Sequence, residues 1–220
     1  MAWTFYWAAG GHAAQTRYNQ FQYSGCAVGC GAVSWGMLFG WGDRQSELGG
    51  NAYWAPRNGL YRRDGGRGAN AIAPIDMDEG VRNMIRELRG QIGTFCAPFG
   101  NSGATTPWSM DGAWRYLNGR SHTRQVCHWN SVGWSEDRLR NRAIASIRDR
   151  RTPAIIGTGW LSHYPLAYGY AWQRRIVRRC FVFCWNDEVY DRWFYVNQGW
   201  GGAGNDWVEA STWFSGEIYP

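Results

Sequence analysis

A chain of 220 residues suits one large domain or two small lobes sharing a cleft. Its 45% hydrophobic content is ample for a packed core, and 16 Trp with 30 Gly point to an aromatic-rich, loop-rich protein. No apolar run approaches ~18 residues, so no membrane insertion is expected, and the net charge of +6 is spread along the chain, so nucleic acid is not an expected partner.

In chain order, residues 30 to 41 carry apolar groups almost all round and predict a buried helix. Residues 43 to 75, rich in Gly, Asn and Arg, read as a long surface loop. Residues 76 to 90 place Val81, Met84, Ile85 and Leu88 at helical spacing, with Gly90 as a stop. Residues 106 to 117 predict a shorter helix, with Pro107 in its first turn and Trp108, Ala113 and Leu117 as its apolar residues. Ser135 caps a helix running to about Arg150, and Pro153 ends that connection. Beyond it, Ala154 to Gly157, His163 to Ala171, Ile176 to Cys184 and Arg192 to Asn197 read as strands. Trp207 to Ala210 and Glu217 to Tyr219 are two further candidates. Helices followed by an antiparallel sheet make an α+β plan, with a cleft expected between a helical lobe and a sheet lobe.

The six cysteines are Cys26, Cys30, Cys96, Cys127, Cys180 and Cys184. An even number fits an oxidising compartment with two or three disulfides. The spacings Cys26-x3-Cys30 and Cys180-x3-Cys184 could suggest zinc. On one regular strand, however, Cys180 and Cys184 would stand roughly 13 Å apart, too far for a single ion. No metal is expected, and a disulfide from Cys26 or Cys180 is, with its partner open. Met1 to Gly11 lacks a basic stretch followed by an apolar one, so no signal peptide is expected there.

Three stretches carry chemistry. Cys30 stands just before the buried helix, where unpartnered first-turn N–H groups favour a thiolate. Helix-end effects contribute only ~0.3–1 kcal/mol. Moving a thiol from ~8.5 to ~4 takes about 6 kcal/mol, so a cationic partner is required. His163, heading the run H-Y-P-L-A-Y-G-Y, is the candidate. Asn197, at the end of a strand and before the Gly-rich stretch Gln198 to Gly204, is placed to hold the imidazole in one tautomer. His12, His122 and His128 have no comparable motif.

These stretches resemble known families. C-G-A-V-S-W-G-M-L-F-G-W is similar to the pattern opening the central helix in bacterial peptidases of the C39-like group. H-Y-P-L-A-Y-G-Y resembles the histidine strand of papain-like enzymes, and V-N-Q-G-W-G-G resembles the asparagine turn of the streptopain group. The three motifs occur in the family's order over residues 20 to 205, with P-A-I-I-G before the histidine as an added match. The resemblance is to the papain-like superfamily of cysteine peptidases.

The resemblance implies a single papain-like catalytic domain over 1–220, with a helical lobe at about 1–125 and an antiparallel β lobe at about 126–220. Cys30 would be the nucleophile, His163 the acid and base, and Asn197 the residue orienting the ring. Papain-like enzymes also place a glutamine upstream of the cysteine to stabilise the oxyanion with the cysteine's own N–H. Gln20 is preferred here, with Gln22 behind it. Gln20 lies six residues before Cys26 and ten before Cys30, against a family spacing of about six, and Cys26 is the alternative nucleophile. Gly31 stands where papain has an aromatic residue, and Ala32 where the bacterial pattern has Pro. The implied substrate is a polypeptide, and no cofactor is needed. Trp160 and Trp200 are candidates to line the cleft. The same chemistry also serves a toxin-like deamidase or a peptidoglycan amidase, and a catalytically dead binding module is a third class. The family resemblance implies a secreted bacterial protein. The absence of any Lys fits delivery into a host cell, where ubiquitin acceptors are a liability, and also fits a GC-rich genome.

Overall fold

The computed structural model describes residues 2–47, 73–98, 101–118, 125–130, 134–159 and 162–219. Of the loop expected over 43 to 75, positions 48 to 72 lie outside the described residues, as do Trp160 and His122.

The chain opens with β1 (Thr4–Trp7), then a short hairpin of β2 (Gln22–Tyr23) and β3 (Cys26–Ala27), then the central helix α1 (Cys30–Glu47). α2 (Glu79–Gln91), the two-residue strands β4 (Phe95–Cys96) and β5 (Gly103–Ala104), and α3 (Ala113–Asn118) follow. After β6 (Gln125–Asn130) and α4 (Glu136–Arg148) come β7 (Ala154–Ile156), β8 (Leu166–Cys180), β9 (Cys184–Asn197), β10 (Asp206–Glu209) and β11 (Phe214–Tyr219).

The helices form close to where expected, although α2 runs through Gly90, the expected stop, to Gln91. Residues 31 to 43 of α1 are buried on every side, as an all-round apolar pattern requires. The helix continues through 43 to 47, positions assigned to the loop in the sequence reading. Asp78 caps α2 by accepting from the Val81 N–H, and Ser135 caps α4 by accepting from the Arg138 N–H. Residues 107 to 112 form a 3₁₀ turn before α3. Its tighter winding turns Trp108 outward, 64% exposed, and buries Met110 in its place.

The sheet runs β10-β9-β8-β7-β11-β6, with β1 also on β8 and every pairing antiparallel. Period-two alternation decides which layer each residue meets. Ala154, Ile156, Ala167 and Val196 pack with Ala143, Ile144 and Ile147 of α4. Ile155, Leu166, Tyr168 and Phe214 belong to the larger core of α1 and α2. The sheet is thus covered by α4 on one face and by the other helices on the opposite face. The described residues are mixed helix and strand with an antiparallel sheet, and no described helix is long and apolar enough to cross a membrane.

One expected strand is corrected. Ile176 to Cys184 is not a single run: β8 ends at Cys180, Phe181 to Phe183 make the turn, and β9 leaves from Cys184. Cys180 and Cys184 face each other across this turn with Cα atoms 4.1 Å apart and form a disulfide. The separation of roughly 13 Å assumed a straight strand.

Candidate active site

Cys30 is the first residue of α1, and among the described cysteine side chains it alone is outside a disulfide. Cys26 is fully buried and bonded to Cys96, so its sulfur has no free thiol to attack with. The backbones of Tyr164, Gly31 and Cys30 itself favour the thiolate. Burial nevertheless dominates and pushes the thiol up from its ordinary value.

Gly31 is required by space. A Cβ there would lie 2.8 Å from the Met110 sulfur and 3.2 Å from the Thr105 hydroxyl. A side chain here would have to displace Met110 and Thr105.

His163 sits near the end of the connection from β7 to β8, its carbonyl accepting from the Thr158 N–H at 3.0 Å. The next residue is fixed three ways. The backbone of Tyr164 lies by the Cys30 sulfur and favours its thiolate, its carbonyl accepts from the Ser34 hydroxyl, and its phenol donates to the Thr105 carbonyl at 3.1 Å. Tyr164 therefore lays the residue after the histidine along the first turn of α1. No direct hydrogen bond joins the Cys30 sulfur to the imidazole among the described residues.

The ring is held from the other side. His163 Nε2 lies 3.0 Å from the Gln198 carbonyl. A carbonyl only accepts, so Nε2 carries the proton and Nδ1 is left as the free base. Burial pushes the imidazole down from its usual value, against the Gln198 hydrogen bonds that raise it.

Asn197 does not touch the ring. Its side chain is fully buried, Nδ2 donates to the Thr16 carbonyl at 2.7 Å, and Oδ1 accepts from the Gly199 N–H at 3.0 Å. Both ends of the amide are used in pinning the turn that presents Gln198. The same turn is held by Gly201 N–H to the Tyr18 carbonyl and by Gln198 N–H to Asn205. Gly199, at φ +73, packs against Val33 and Met37 of α1. Trp200 stands half-exposed with its ring 5.5 Å from the imidazole.

Gln20 is brought to this place by a hairpin that the sequence reading missed. β2 and β3 pair Gln22 with Ala27 and Tyr23 with Cys26 around Ser24 and Gly25, both at positive φ. Val28 N–H donates to the Phe21 carbonyl, which continues the pairing. The same register sets Gln20 opposite Gly29, next to Cys30, while Asn19 bridges to Trp200. The ten-residue separation between Gln20 and Cys30 is taken up by this hairpin. Gln22 lies exposed on β2.

No protein-family model matches the chain, and searches of curated proteins and of solved structures return no match either. Among the described residues no group of His, Cys, Asp and Glu could hold a metal ion.

Proposed function

We propose that the chain is a cysteine peptidase of the papain-like kind, with its active site between the helical layer that carries Cys30 and the sheet-borne turn that carries His163. The observation that supports this most is the place of Tyr164: the backbone of the residue following a histidine lies by a free thiol at a helix start and favours its thiolate. That histidine has one ring nitrogen committed to a carbonyl, which leaves the other as the basic one.

The chemistry follows from those positions. Nδ1 of His163 takes the thiol proton as the Cys30 sulfur attacks the amide carbonyl carbon. The developing oxyanion is met by the Cys30 N–H and the Gln20 amide. His163 then returns the proton to the leaving amine, and a thioester remains. Water, deprotonated by the same nitrogen, hydrolyses it. The Gln198 carbonyl holds the tautomer through both halves. Asn197 acts one step back as a positioning residue. The two disulfides suit a secreted protein.

The same attack on a side-chain or peptidoglycan amide is the second reading, favoured by the absence of Lys. Mass spectrometry of a peptide library and a host lysate separates the two. New peptide termini, abolished in Cys30→Ala and reduced about 10²–10⁴-fold in His163→Ala, are the expected result. Conversion of Gln to Glu without new termini supports the second reading. No change in either, and no amide cleavage in purified peptidoglycan, would overturn both.

A further inference from the structure

Two exposed apolar features lie at opposite ends of the β8–β9 hairpin. These strands pair along their whole length, but β1 accompanies β8 only to Trp172, and β10 meets β9 only from Trp193. Residues 173 to 191 therefore form a two-stranded arm about 25 Å long at ~3.3 Å per residue. At its end the Cys180–Cys184 disulfide closes a turn whose three residues are Phe181, 92% exposed, Val182, 75%, and Phe183, 81%. At its base Trp3, Phe5, Ala171, Trp193 and Trp207 line an apolar pocket of about 340 Å³. A monomer exposing both a knob and a hole of this kind is unusual.

We propose that two copies of the chain associate through these arms, the Phe181 to Phe183 tip of each filling the aromatic pocket of the other. The tip lies the whole length of the arm from its own pocket and cannot fill it. Two identical arms laid antiparallel bring each tip to the other's base, whatever the arm's length, so the contact closes as a two-fold dimer. The pocket also selects the face. Ala171 pairs with Phe5 and Trp193, and the same face continues outward through Arg175, Val177 and Arg179 with their partners on β9. It carries two arginines and two aspartates, already joined as Arg175–Asp191 at 2.7 Å and Arg179–Asp187 at 2.9 Å. Two such faces meet without net repulsion. The opposite face holds Arg174, Arg178 and Arg192 against Glu188 alone, and two copies of it repel. Four buried phenylalanine rings, at ~150–250 Å² each, supply on the order of half of the ~1,600 Å² of a stable interface.

Sedimentation velocity of the full chain across a concentration series tests this. The wild type is expected as a concentration-dependent dimer. F181S/F183S and, separately, W3S/F5S weaken association about tenfold or more, while their Cys30 alkylation rates stay at the wild-type value and show that they are folded. Mixing the two variants restores a heterodimer, because an intact tip then meets an intact pocket. A wild type that stays monomeric, a tip variant that dimerises normally, or a mixture without recovery overturns the proposal. So does a monomeric wild type that binds phosphatidylserine vesicles through Phe181 and Phe183, which would assign the tip to lipid.

Discussion

Burial pushes the Cys30 thiol up and the His163 imidazole down. Both shifts favour the neutral forms, so the resting pair is a thiol beside an uncharged base, not the ion pair that the helix-start argument anticipated. A raised thiol value means that thiolate accumulates only on the alkaline side of ~8.5. Iodoacetamide should therefore modify Cys30 slowly at neutral pH and increasingly fast above that value. Rapid labelling at pH 5 would contradict the neutral pair. A lowered imidazole value keeps Nδ1 unprotonated below ~6.5, so kcat/KM should hold into mildly acidic solution before it falls. An acid limb at or above the ordinary histidine value would be the opposite result. Asn197 shows what residue type alone can reveal. V-N-Q-G-W-G-G marked the turn correctly, but the direction of the amide depends on Thr16, 181 positions away. Asn197→Ala leaves the Thr16 carbonyl and the Gly199 N–H without their partner. The expected loss is about 1–3 kcal/mol of stability per orphaned group, read by chemical denaturation, together with a fall in kcat. An unchanged unfolding midpoint would remove Asn197 from the account.

Among the elements, α1, α2 and α4 were legible because apolar spacing, and for α4 the Ser135 cap, are local signals. The β2–β3 hairpin was missed although Ser24-Gly25 is a turn dipeptide, because its strands are only two residues long. The β8–β9 arm was misread for a different reason. Its turn, Phe-Val-Phe, has none of the usual turn residues, and the Cys180–Cys184 disulfide clasps it. The other disulfide makes an element-scale prediction. Cys26–Cys96 spans 70 residues and joins the hairpin bearing Gln20 to β4, with Arg89 donating to the Cys26 sulfur at 3.2 Å. The double variant Cys26→Ser/Cys96→Ser should lose about 4 kcal/mol on the chain-entropy account of a loop that long. Urea unfolding measures it, and a loss below the error of the extrapolation would contradict that role.

For the molecule as a whole, the α+β class followed from the order of helices and strands, while the layering did not. Period-two alternation says which residues share a face but not which strand lies beside which. Nothing local marks β1 as a neighbour of β8, or β11 as lying between β6 and β7. Those long-range pairings bring the Gln198 turn against α1, and in the proposed site they carry His163 to Cys30. The most direct test of that meeting is covalent trapping with an electrophilic peptide epoxide, followed by peptide mapping and repeated on His163→Ala. The account predicts a single adduct at Cys30, formed at least about tenfold faster in the wild type than in the variant near neutral pH. Modification at another residue, or equal rates in the two proteins, would contradict it.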